Sequence, residues 1–158
     1  MIPILFVSAK TGAGIKELQH VLASLAPNPA EGNPPPFYKG EPGNVTEPFH
    51  AEPDAGKHVL AHVFKVVADP YMGKIGIFRV HQGTMKKDMQ LFVGDSKRPF
   101  KVAHLYQLQG KETLEVDELV PGDIGAIAKV EEIDFDCVLH DSHDEDHIHL
   151  VPLEFPKP

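Results

Sequence analysis

The densest concentration of chemically capable side chains lies in HDSHDEDHIHL, where His140, His143, His147 and His149 stand among four acids within His140–Leu150. Imidazole and carboxylate are the right donors for zinc or nickel, and His147 and His149 would share one side of an extended strand. The spacing matches no closed four-ligand pattern. The acids also lack the glycine that a calcium-binding loop needs for its sharp turn. A metal-dependent enzyme centred here is therefore the weakest reading, and the sequence assigns no resident metal. Ser8, Ser24, Ser96 and Ser142 sit in no nucleophile elbow, and no grouping of Lys, Asp and His has a catalytic arrangement. No active site is expected in this chain.

Phosphate chemistry is also poorly provided for. A phosphate-cradling loop needs GxxxxGK[ST], so that backbone N–H groups wrap the anion and Lys reaches its outer oxygens. Gly56-Lys57 has Ala51 and His58 at the decisive places, and Gly73-Lys74 has Ala68 and Ile75. Neither NKxD nor DxxG occurs, so the chain is expected to bind no nucleotide and to need no cofactor.

Charge is more informative. The net charge is −8, which should repel a polyphosphate. Between Lys65 and Lys111, however, nine basic residues face three acids, giving +6 and leaving −14 elsewhere. Lys97, Arg98, Lys101 and Lys111, with His104 and Gln107 as hydrogen-bonding neighbours, form the candidate nucleic-acid-contacting set. A basic face that only aids solubility is the competing reading. Phe64, Phe78, Phe92, Phe100 and Tyr106 could stack on bases, but they fall on different predicted strands and are expected to fill a core instead.

The elements that must position these residues follow from periodicity. Ile4 to Val7 reads as a strand, and Ile15, Leu18, Leu22 and Leu25 recur at helical spacing between Gly14 and Ala26. Residues 27–57 hold eight prolines and few periodic apolar positions, which predicts an extended connector without a regular core. From residue 58 to about 141, short apolar runs recur every ten or so residues between Gly and Pro turns, as in a small antiparallel barrel. VFKVVADPYMGKIGIFRVHQG, Val63–Gly83, is its clearest hairpin. Residues 142–158 form an acidic, His-rich exit. No apolar run is long enough to span a bilayer and no signal peptide is visible, so a cytoplasmic setting is expected. Cys137 is the sole cysteine and reads as a small buried hydrophobe.

The order of these words resembles elongation factor G, the translocation GTPase. VFK, then ADP-aromatic-x-GK, then RVxxG resembles the opening of its second domain, and HLYQLQGKETLEVDELVPGDIGAIAKV, His104–Val130, the later strands of the same domain. PILFVSAKTGAGIKEL is similar to the last strand and helix of its GTPase domain, with Ser8, Ala9 and Lys10 as the word beside guanine; PLEFPKP, Pro152–Pro158, resembles the start of its third domain. The resemblance implies a mainly β translation-factor barrel at 58–141, a GTPase-domain remnant at 1–26, and an exit at 142–158 that is longer and more acidic than is usual there. It also implies docking on small-subunit ribosomal RNA, contact with the other domains of a parent factor, and a parent that uses GTP and magnesium. A free-standing oligonucleotide- or protein-binding barrel without such a parent is the alternative.

Overall fold

The computed structural model describes residues 2–29, 31, 37–41, 44–110, 112–142 and 148–150. The chain divides into two compact units, Met1–Gly32 and Asn33–Pro158.

In the first unit the apolar spacing produces α1, Ile15–Leu25, entered through Gly14 at φ 73°. That positive φ suits glycine, and a Cβ there would also meet the Phe6 carbonyl oxygen. The expected strand at Ile4–Val7 is not formed. A strand is completed by a neighbour's ladder, and none is present beside these residues among those described. Ile4 and Phe6 accordingly stand 81% and 92% exposed. No described helix is long and apolar enough to cross a membrane.

The second unit is mainly β. Its strands are β1 Phe37–Glu41, β2 Asn44–Phe49, β3 Leu60–Asp69, β4 Gly73–Gln82, β5 Met85–Lys86, β6 Gln90–Val93 and β7 Phe100–Lys101, followed by β8 Leu105–Gln109, β9 Glu112–Glu115, β10 Glu118–Leu119, β11 Ile124–Ala128, β12 Val138–His140 and β13 Ile148–Leu150. Eight of them form one curled antiparallel sheet in the order β7-β6-β12-β3-β4-β11-β8-β9, while β10 pairs with β5. Its concave side holds Val63, Phe78, Val80, Met85, Leu91, Leu105, Ile127, Ile133 and Leu139, a core that accounts for the recurring apolar runs of the sequence. The fold is thus mainly β and antiparallel as expected, its main sheet curled into a half-barrel.

Two glycines fix the central hairpin. Gly73, φ 72°, follows the Asp69-Pro70 turn, and Gly83, also φ 72°, ends β4. A Cβ at Gly83 would lie 2.7 Å from the carbonyl oxygens of Lys57 and His58, so only glycine fits that closing turn. Next to it Gln82, 4% exposed, accepts from the Glu52 N–H and donates to the His58 carbonyl, both at 3.1 Å. Its amide is thereby satisfied although buried.

The proline-rich stretch corrects the expectation of an extended connector without a regular core. β1 and β2 lie inside it, and β1 is flanked by β2 and β13 in a separate three-stranded sheet. The pairing is driven by burial: Phe37, Leu60, Val138 and Ile148 form a second apolar cluster with Phe49 and Leu150 against it. The exit segment likewise contains a strand, β13.

Candidate functional site

The candidate contact residues cluster around β7, β8 and the turns flanking them. Lys97 and Arg98 occupy the turn between β6 and β7. Ser96 ties that turn by donating its hydroxyl to the Arg98 carbonyl at 3.2 Å and accepting from the Arg98 N–H at 3.3 Å. Both basic side chains are exposed, and neither has an ion-pair partner among the described residues.

Lys101 and His104 each face an acid. Lys101 Nζ lies 2.8 Å from Asp88 Oδ1, and this contact holds the Asp88 carboxyl below its ordinary range. His104 Nδ1 is 3.1 Å from Glu115 Oε1, which also accepts from Lys87 Nζ at 2.6 Å. Lys87 first and His104 second depress the Glu115 pKa, while the Lys87 ammonium is raised by the same bond. These groups are exposed or, for Lys87, half-exposed, so the pairs are screened and contribute little to stability. The His104 ring stacks on Tyr106, centroids 6.1 Å apart. Sequence reasoning missed Asp88 and Glu115, because each lies far along the chain from the cation it neutralises. Asp88 is held at φ 67° in the β5–β6 turn, and an acid in a turn gives no sign in the sequence of its partner on another strand.

Gln107 is exposed on β8, between Gly125 of β11 and Leu114 of β9. With Leu108, Gln109, Glu112, Thr113 and Leu114 it lines a recess of about 680 Å³. Lys111 lies outside the described residues. The structure therefore brings Lys101, His104 and their acidic partners together and leaves Lys97 and Arg98 as the unpaired cations of the set.

Of the aromatic side chains, Phe78 and Phe92 are buried, Phe100 packs on the core, and Phe64 is 38% exposed. They do not form one stacking platform.

The histidine-rich segment resolves into separate roles. His140 is 1% exposed, with Nδ1 2.8 Å from the Ser142 carbonyl and Nε2 2.7 Å from the Gly94 carbonyl. Both ring nitrogens face backbone oxygens, and the ring stacks on Phe92. This is a hydrogen-bonded core histidine with no nitrogen turned toward an ion. His149 Nε2 is 3.3 Å from Asp95 Oδ1. His143 and His147 lie outside the described residues. Among the described residues no group of three or more His, Cys, Asp or Glu side chains converges as metal ligands would.

Cys137 packs against the barrel core, and burial pushes its thiol up to about 11, which leaves little thiolate at neutral pH. Ser8, Ala9 and Lys10 open a tight turn before α1. The Ser8 N–H donates to Ala13 O at 2.9 Å, the Gly12 N–H to Ser8 O at 2.8 Å, and the Thr11 N–H to Ser8 Oγ at 3.3 Å.

Residues 58–135 match the family model for elongation factor G domain 2. The chain belongs to the elongation factor G family through this domain. An elongation factor G from Chlamydia caviae is 28% identical over 156 residues, 99% of this chain and 22% of the relative. The chain thus spans about a fifth of that relative's length. A crystal structure of a Thermus thermophilus protein aligns with 61% of this chain and 15% of that chain, at 30% identity and a TM-score of 0.49.

Proposed function

We propose that this chain is the second-domain barrel of an elongation factor G-like translation factor and docks it on the small ribosomal subunit. The match of residues 58–135 to elongation factor G domain 2 carries the reading. The Lys97-Arg98 turn is the contact it favours, since these two cations need lose no internal partner to meet RNA phosphates. Lys101 and His104 would first have to leave Asp88 and Glu115. Gln107 and Lys111 complete the proposed set.

In this reading residues 1–26 are the end of a GTPase domain and 142–158 lead into a third domain. Ser8, Ala9 and Lys10 are then the guanine-side remnant of a site whose GTP and magnesium are held elsewhere in a cytoplasmic parent. The barrel passes the nucleotide state of that domain to the distal ones during translocation, which requires contacts that differ between two states. The barrel itself performs no chemistry.

The test is the double reversal Lys97→Glu/Arg98→Glu, assayed by ribosome co-sedimentation over a range of salt. Each lost phosphate contact should lower the slope of log affinity against log salt by roughly 0.7–0.9, so the variant should bind more weakly and with a flatter dependence. Lys10→Glu/Lys16→Glu removes the same charge from the first unit and should leave the slope unchanged. Equal effects from the two variants would reduce the turn to net charge and sink the contact.

A further inference from the structure

Four of the seven exposed large apolar side chains among the described residues between 37 and 150 lie on β3, at the β3–β4 tip, or on the loop beside them. They are Phe64 at 38%, Val67 at 37%, Tyr71 at 93% and Phe135 at 50%. One exposed apolar residue is ordinary, but a concentration along one edge marks an interaction surface.

The backbone along that edge is open too. β12 pairs with β3 only at Leu60–His62, and the loop leading into β12 reaches it only at Val63, which exchanges bonds with Cys137 O and the Asp136 N–H. From Phe64 to Ala68 no second ladder forms on that side among the described residues. β3 is thus a covered strand for its first part and an edge strand for its second. Between Phe64 and Ala68 the Lys65 ammonium is the one charge against unwanted pairing.

The tip is held in a fixed shape. Asp69 Oδ1 accepts the N–H groups of both Tyr71 and Met72 at 2.8 Å, bonds that keep its carboxyl ionised below the ordinary range, with Met72 the stronger cause. Pro70 restricts φ, and Gly73 supplies the left-handed turn residue. The Tyr71 ring is therefore presented on a constrained turn, and a partner that buries it would lose little conformational entropy in doing so.

Charge decides between protein and RNA. Lys74 Nζ binds Asp134 Oδ1 at 2.7 Å and the Glu131 carbonyl at 3.0 Å, which brings the acidic loop to the base of the tip. Asp69, Glu131, Glu132 and Asp134 there outnumber Lys74 and Lys129. Phosphates would be repelled, and an open β edge offers N–H and C=O groups that an extended polypeptide can match in register.

We propose that the open edge of β3, Phe64–Ala68, and the Tyr71 tip dock an extended segment of a basic protein. The inference rests on the ribosomal reading above, because it places a protein contact on the same particle as the RNA contact of Lys97 and Arg98.

The test places photoreactive p-benzoylphenylalanine at position 71 in one preparation of the full chain and at position 98 in another. Both are irradiated with purified ribosomes and digested with RNase or protease. The position-71 adduct should survive RNase, vanish with protease and identify by mass spectrometry as a basic protein, while position 98 yields RNA. Glu131→Lys/Glu132→Lys should abolish the position-71 adduct and spare the position-98 adduct. RNA or nothing at position 71, with RNA at position 98, overturns this inference alone. No adduct at either position overturns it together with the docking reading.

Discussion

At the residue scale the side chain with the largest electrostatic consequence is His81, on the outward side of β4. Desolvation first, then His62 and Arg79, lowers its pKa to about 4 from an ordinary 6.5. The Phe37 ring meets it edge-on at 5.2 Å. Because the folded form resists protonation, the unfolded chain binds more protons between these two values. Stability from this source is therefore complete above pH 6.5 and is lost as pH falls toward 4. The full shift corresponds to at most about 3 kcal/mol. His81→Gln removes the titration, so the stability difference between the native chain and the variant, read from urea midpoints, should shrink in favour of the variant between about pH 7 and pH 4.5. A difference that stays constant over that range would mean His81 is solvated in the folded chain. Nothing in RVHQG announces this behaviour. The strand alternation puts His81 on the side away from the core, where the Phe37 ring, distant in sequence, packs edge-on against it.

At the element scale, what was legible and what was not divide along contact range. The hairpin of β3 and β4 was readable because its alternation, its Asp69-Pro70 break and its two glycines are all local. The bulge at Phe64 was not: the register shifts between Val63 and Lys65, so the simple alternation read through this stretch changes face midway. β1 was invisible for a stronger reason. Its ladder partner β13 is more than a hundred residues away, and proline-rich flanks mask the single apolar anchor, Phe37. That anchor yields the next prediction. Phe37 is 1% exposed and shares its cluster with Leu60 of β3, Val138 of β12 and Ile148 of β13. Phe37→Ala should cost about 3–5 kcal/mol in urea unfolding. Amide exchange should accelerate at Ile148–Leu150 more than in β4, since β13 has β1 as its only strand neighbour among the described residues. Uniform acceleration would show instead that the three-stranded sheet unfolds only with the whole barrel.

At the scale of the whole molecule the family was legible because collinear words survive where single motifs do not, whereas the contact surface was only half legible. Counting charge along the sequence located the basic stretch, but Asp88 and Glu115 cancel part of it in space, leaving Lys97 and Arg98 as the unpaired cations of the candidate contact set among the described residues. The same contrast between composition and geometry governs nucleotide. In the proposed reading Ser8, Ala9 and Lys10 are a guanine-side word, yet a nucleotide is held chiefly by N–H groups turned toward its phosphates. In the turn before α1 four N–H donors are already engaged: Ser8 with Ala13 O, Thr11 with Ser8 Oγ, Gly12 with Ser8 O and Ala13 with Thr11 Oγ1. Opening the turn would forfeit these bonds without a phosphate loop to replace them. Titration calorimetry of the full chain with GTP or GDP, with magnesium present, should therefore give no saturable heat at micromolar concentrations. A one-to-one isotherm would mean that the turn rearranges around the base and that guanine recognition survives apart from phosphate binding.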